Sequence, residues 1–205
     1  MDPKNQLNLT INRKKMFQAM KGFGGAITDS AGYNIYSLSL NTKNNLIESY
    51  FGPLGIEYNV LRIPIGGTDF SLREYSYADE FQEDFELKNF TLQNEDIKWK
   101  IPFAQAAIKI SKKNISMFAS PWTAPRWMKT NNDFKGNGTL IGPEGGKYYD
   151  SWARYFLKFF EAYEKNGLKF WALTAQNEPT DGFLYKYFCF CFDCSKFILK
   201  LYLNK

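Results

Sequence analysis

Glu178 stands where a carboxylate could do chemistry. It follows the run Phe170-Trp171-Ala172-Leu173-Thr174-Ala175-Gln176-Asn177 and precedes Pro179. A strand-like, apolar stretch ends in an amide, a carboxylate and a proline. Proline lacks a backbone donor and steers the preceding residue toward an extended conformation. The sequence therefore predicts an extended Glu178 at the C-terminal end of a strand. In parallel α/β folds, catalytic groups collect at that end. The chain contains no histidine, which removes Ser-His-Asp and Cys-His catalysis and His-ligated zinc. Acid/base chemistry near neutral pH then falls to carboxylates. Asn-Glu-Pro alone reads equally well as a strand that stops at a turn.

The elements that must position Glu178 alternate between strand and helix. Residues 19–28 hold Gly22-Phe23-Gly24-Gly25-Ala26-Ile27, a short, glycine-rich strand of the buried type. Asp29-Ser30 starts helical segments that run to about Phe51, and Gly52-Pro53 breaks them. Residues 58–65 form a second strand leading into Gly66-Gly67-Thr68-Asp69-Phe70, followed by a long polar loop over residues 71–89. Residues 94–112 form a helix with Ile97, Ile101, Ala104 and Ile108 on one face. Residues 115–120 form a third strand that ends at Pro121-Trp122-Thr123-Ala124-Pro125. A Gly/Asn-rich loop precedes a helix over residues 148–165, whose stripe of Trp152, Tyr155, Phe156, Phe159 and Tyr163 is core packing, and Asn166-Gly167 caps it. The fourth strand ends at Glu178. Four strands separated by helical segments imply an α/β fold with a parallel sheet. Asp69, Phe70, Trp122, Asn177 and Glu178 all follow strands, which is the layout of a (β/α)8 barrel's catalytic face.

Composition narrows the function classes. Charged residues make up 23% of the chain and interrupt every apolar run, so no segment reads as membrane-spanning. The net charge of +5 is spread along the chain without a Lys/Arg block, which argues against nucleic acid as the ligand. Cys189, Cys191 and Cys194 fall together and outline no disulfide framework. A three-thiol metal site is conceivable, but structural zinc usually takes four ligands, so no metal or organic cofactor is expected. Met1-Asp2-Pro3-Lys4 opens no apolar signal segment. Sequons at Asn8, Asn89, Asn114 and Asn137 hint mildly at a secreted or lysosomal relative.

The strand-end motifs resemble glycoside hydrolase family 30, in its glucosylceramidase branch. Gly22-Phe23-Gly24-Gly25-Ala26-Ile27-Thr28-Asp29 is similar to the family's first barrel strand. Tyr58-Asn59-Val60-Leu61-Arg62-Ile63-Pro64 and Thr68-Asp69-Phe70-Ser71 are similar to its second, and Ser120-Pro121-Trp122-Thr123-Ala124-Pro125-Arg126-Trp127 to the end of its third. Tyr75-Ser76-Tyr77-Ala78-Asp79, Ser151-Trp152-Ala153-Arg154-Tyr155-Phe156 and Thr174-Ala175-Gln176-Asn177-Glu178-Pro179 continue the series in order, from about Leu7 to about Leu184. The resemblance implies a TIM barrel of which about the first four strand-helix units are present over residues 19–184. It implies a β-sandwich remnant over residues 1–18, and a divergent Cys/Phe-rich tail follows over residues 185–205.

The implied activity is retaining hydrolysis of the β-glucosidic bond of glucosylceramide at a membrane surface. The resemblance also suggests a lysosomal setting and a lipid-presenting activator protein. By motif position, Glu178 would be the general acid/base and Asn177 would bond the sugar 2-hydroxyl. Asp69 and Trp122 would hold glucose hydroxyls, with Arg62 as a fixed positive charge beneath and Phe70 and Trp127 at the pocket wall. Each has a structural alternative. Arg62 could be an ion-pair partner within the barrel, Asp69 a loop cap, and Phe70, Trp122 and Trp127 plain packing. Asp29 reads as a helix N-cap more readily than as a sugar ligand. In the family the nucleophile is a glutamate on the seventh strand, and no residue of this chain is assigned to that role. Half a barrel would leave sheet edges unpaired, so the 205-residue chain made alone is expected to aggregate or stay partly unfolded. The alternatives are an inactive sugar- or lipid-binding relative and another family 30 activity such as a β-xylosidase or endo-glycanase.

Overall fold

A computed structural model describes residues 9–136 and 138–179. The cysteines, the tail over residues 185–205 and the sequons at Asn8 and Asn137 lie outside them. Four strands, β1 (Gly24–Ala26), β2 (Val60–Ile65), β3 (Ser116–Pro121) and β4 (Ala172–Leu173), form one sheet in sequence order. Every pairing is parallel, with Gly25 opposite Leu61, Arg62 opposite Phe118 and Ala119 opposite Leu173. Helices α1 (Asp29–Tyr36), α2 (Leu40–Phe51), α3 (Ile101–Ile110) and α4 (Lys147–Glu164) carry the crossovers.

Strand faces and helix stripes meet in one core. Leu61, Ile63 and Ile65 of β2 and Met117 and Ala119 of β3 alternate onto the face covered by the helices. Trp152, Tyr155, Phe156, Phe159 and Tyr163 of α4 are buried against them, as their spacing predicts. Gly167, at φ +77°, supplies the left-handed turn that ends α4, where the Leu168 N–H donates to Tyr163 O. At the other side of the sheet, Gly24 allows β1 to approach β2, since a Cβ there would lie 1.5 Å from Val60 O.

Several expectations are corrected. β1 is exposed rather than buried, because it is the outermost strand of the four and pairs only with β2. Thr28, not Asp29, caps α1, its Oγ1 accepting from the Ala31 N–H at 3.0 Å. Asp29 is instead the first helical residue and is buried. The helix expected over residues 94–112 starts at Asn94 but passes through a π segment, Asp96–Lys100, before α3. Pro102 explains this, since its missing N–H cannot serve the carbonyl four residues back. The wider turn rotates the preceding residues, so Ile97 is exposed, while Asp96 and Lys100 are fully buried. Farther along, Ile108 is partly exposed and the face that packs is Ile101, Phe103, Ala104 and Ala107. The loop read as polar over residues 71–89 sends Tyr75, Tyr77, Ala78 and Leu87 into the core.

Candidate active site

β4 keeps regular ladder pairing for only two residues, so the strand stops well before Glu178. On both sides of it the chain is hydrogen-bonded to β3 in a stretched register. The N–H groups of Trp171, Thr174 and Asn177 donate to the carbonyls of Met117, Ala119 and Pro121. The segment thus advances three residues for every two of β3, which breaks strict in/out alternation. Asn177 and Glu178 end up beside one another at the C-terminal edge of the sheet. Glu178 is not extended: its φ is +41°, in the left-handed region. The ladder has ended at Asn177 and the chain must turn, but Pro179 disfavours a right-handed helical conformation in the residue before it. The turn passes through left-handed space instead, at a cost of about 1 kcal/mol for a residue with a Cβ.

Arg62 organises the cluster. It lies on the sheet face opposite the helices, as do Ser120 and Thr174. Its Nε donates to Ser120 Oγ at 3.0 Å and its Nη2 to Asn177 Oδ1 at 2.6 Å. Ser120 Oγ and Thr174 Oγ1 are 2.6 Å apart. Having accepted from Arg62, the Ser120 hydroxyl can direct its proton to Thr174. The guanidinium also stacks 4.5 Å from the Trp122 ring centroid. Partial burial lowers the Arg62 pKa from its ordinary value, and the negative charge of Glu178 acts in the opposite direction. An arginine stays cationic under either influence. The site therefore joins a fixed cation, an oriented amide and an exposed carboxylate.

The other expected residues are placed less uniformly. Trp122 is buried, packs with Phe134 and already has one ring face under the guanidinium, so only its opposite face can meet an apolar surface. Gln176 Nε2 bonds the Trp122 carbonyl at 2.9 Å and ties the end of β3 to the segment after β4. Asp69 and Phe70 stand apart on a turn after β2, both exposed, Phe70 by 79%. The turn is closed by Ser71, whose Oγ accepts the Thr68 N–H at 2.8 Å, so Asp69 is not the group that caps it. Trp127 belongs to the core, with its Nε1 donating to Ala78 O at 2.7 Å. The structure thus joins Arg62, Trp122, Asn177 and Glu178. It adds Ser120, Thr174 and Gln176, which the sequence reading missed. Strand register would have flagged Ser120, two residues beyond the partner of Arg62 on β3. Among the described residues no group of three or more His, Cys, Asp or Glu could hold a metal ion.

Comparison with known proteins points the same way. Residues 20–199 match the family described as Glycosyl hydrolase family 30 TIM-barrel domain. The chain is 52% identical to the lysosomal acid glucosylceramidase of Mus musculus over 176 residues, covering 86% of this chain and 34% of that protein. It is 46% identical to putative glucosylceramidase 4 of Caenorhabditis elegans over 196 residues, covering 93% and 38%. Among solved structures, the endo-beta1,6-glucanase BT3312 superposes with a TM-score of 0.75 at 31% identity, covering 89% of this chain and 40% of that one. The chain thus spans little more than a third of the length of the curated relatives it matches. With a parallel βα architecture, a carboxylate and an amide at its C-terminal edge, and family-wide sequence similarity, the chain belongs to glycosyl hydrolase family 30, a family of TIM-barrel glycosidases.

Proposed function

We propose that this chain carries the acid/base side of a retaining glucosylceramidase site, which cleaves glucosylceramide to glucose and ceramide. The observation that carries this reading is the Arg62–Asn177 hydrogen bond beside Glu178. The guanidinium holds Asn177 by its Oδ1 and so fixes the orientation of the amide that bonds a sugar 2-hydroxyl. Such a bond strengthens as positive charge develops on the sugar ring. Glu178 protonates the departing glycosidic oxygen and then, as carboxylate, activates the water that releases glucose. Arg62 balances the negative charge that Glu178 acquires after giving up its proton. Asp69 and Trp122 hold glucose hydroxyls, and Phe70, exposed on its turn, suits contact with a lipid aglycone at a membrane surface. The retaining mechanism requires a second carboxylate about 5–5.5 Å from the first. None of the described residues is assigned to that role, and the family resemblance puts it on a seventh strand. Relatives named as glucosylceramidases at 46–52% identity support the substrate and, in the mouse protein's name, a lysosomal setting. A lipid-presenting activator remains part of the reading by resemblance alone.

The test is Glu178→Gln in the full-length protein. Hydrolysis of glucosylceramide falls about 10²–10⁴-fold. A dinitrophenyl glucoside, whose leaving group needs no proton, keeps a fast first step, and azide restores turnover by replacing water. Equal losses on both substrates would sink the assignment of Glu178. The likeness to an endo-β1,6-glucanase at 31% identity supplies the rival substrate. Faster cleavage of a β-1,6-glucan than of glucosylceramide would select it.

A further inference from the structure

We propose that Asp29 is a positioning residue for sugar binding, acting through Ser71 to hold the turn that presents Asp69; the inference rests on the assignment of Asp69 to the sugar. Asp29 is 2% exposed and follows β1, whereas Ser71 follows β2, so their contact ties two separate crossovers together. Asp29 Oδ1 accepts from Ser71 Oγ at 2.9 Å and from the Ser30 N–H at 2.8 Å, and its Oδ2 accepts from Tyr75 Oη at 3.2 Å.

The direction of these bonds follows from the inventory of donors. A hydroxyl has one proton and two lone pairs, and an ionised carboxylate only accepts. The Ser71 proton therefore goes to Asp29. A Ser71 lone pair is then directed at the Thr68 N–H, which it accepts at 2.8 Å. The Ser71 N–H returns to Thr68 O at 3.2 Å, closing the four-residue turn Thr68-Asp69-Phe70-Ser71. The base of the turn is pinned as well. The Gly66 N–H donates to Tyr77 Oη at 3.0 Å and the Gly67 N–H to Tyr75 O at 3.1 Å. Tyr75 is thus bound both to the turn's base and to Asp29. Thr68 is buried while Asp69 and Phe70 are exposed, so the relay grips the turn from below and leaves its two central side chains facing out. Asp29 touches no sugar in this scheme. It makes one backbone geometry preferred, and with it the place of the Asp69 carboxylate.

The experiment measures binding of the glucose-shaped iminosugar deoxynojirimycin to the full-length protein by calorimetry, with amide exchange read at Thr68. Ser71→Ala, at a half-buried position on a surface turn, should fold normally. Both Ser71→Ala and Asp29→Ala weaken binding roughly 3- to 10-fold, the worth of one or two hydrogen bonds, and both accelerate exchange at Thr68. Asp29→Asn retains most of the affinity, because its amide oxygen still accepts from Ser71. In an Asp69→Ala background the Ser71→Ala change has no further effect, which a merely structural role would not produce. Unchanged affinity in Ser71→Ala, or a loss that persists without Asp69, overturns the proposal. An Asp69→Ala protein that binds like wild type removes Asp69 from the sugar site. That failure of the functional reading is visible before any relay variant is made.

Discussion

Of two polar clusters that set a cation beside aromatic rings, one around Lys100 and one around Arg62, only the second resembles a place for chemistry. The first is sealed. Lys100 and Asp96 are fully buried and 2.7 Å apart. Asp96 Oδ1 accepts from Tyr77 Oη and Tyr163 Oη, and Lys100 Nζ donates to Pro64 O and Tyr77 Oη. Tyr77 Oη also accepts the Gly66 N–H, so its one proton and both lone pairs are used. The second cluster, around Arg62, is open on one side. Its guanidinium is bound to Ser120, Asn177 and the Trp122 ring, but the neighbouring Glu178 is exposed. A buried charge pair is retained only when protein groups satisfy it completely. A binding site instead needs groups whose orientation is fixed from below while their outer side meets solvent or substrate. The difference teaches that charge and aromatic content do not mark a site. The direction in which the polar groups remain accessible does.

The comparison can be broken at the sealed cluster first. Burial raises the pKa values of Tyr75, Tyr77, Tyr155 and Tyr163 above their ordinary value of 10.0, and neighbouring carboxylates including Asp96 add to the shift in each. The folded chain therefore binds more protons than the unfolded chain above pH 10. Stability is fully present below that pH and is lost as pH rises, by up to about 5 kcal/mol per unit for four groups acting together. A tyrosinate absorbance titration should show these rings ionising only as the protein unfolds. Reversible titration of all tyrosines in a folded protein would contradict the burial. Next in size is Lys100→Met, which leaves Asp96 buried without its cation and should cost about 3–5 kcal/mol in urea unfolding.

The open cluster should respond in the opposite currency. Arg62→Lys keeps the charge but cannot bridge Ser120 and Asn177 with one planar group. We expect glucosidase turnover to fall about 10²-fold, the scale of a lost transition-state contact, while the melting temperature moves little. A large drop in melting temperature with turnover preserved would make Arg62 a structural ion-pair partner instead. The smallest effect on folding belongs to Phe70→Ala. An exposed side chain on a turn should change stability by no more than about 0.5 kcal/mol, and its consequence should appear in KM for a lipid glucoside and not for a short-chain one.

Much of the architecture was legible in the residues. The α4 stripe repeats at helical spacing, Gly52 and Gly167 punctuate helix ends, and the β2 and β3 runs alternate as strands do. Local backbone preference and hydrophobic period act within a few residues, so sequence exposes them. The misses share a non-local cause. The helix expected over residues 94–112 put Ile97 on its packed face, but the π turn ahead of Pro102 leaves Ile97 exposed, and tyrosines from distant segments reach the buried Asp96 instead. Tyr77 read as a loop residue because its burial comes from Tyr155 and Phe159 of α4 stacking on it, and Tyr75 because it packs on Tyr77 in turn. Asp29 read as a cap because its partners, Ser71 and Tyr75, lie more than forty residues away.

The sequence by itself determined which residues this chain could use. Without histidine, its acid/base candidates near neutral pH are carboxylates first, and its ordered strand-end motifs carry the family and name Arg62, Asp69, Phe70, Trp122, Asn177 and Glu178 as candidates. Only the tertiary structure decided how they stand. It stretched the register after β4, turned Glu178 through left-handed space, bound Asn177 to Arg62 and kept Asp69 on a separate turn held from beneath. The physical reason is that residue type fixes what a side chain can donate, accept or protonate. Which donor meets which acceptor depends on strands more than fifty residues apart lying side by side.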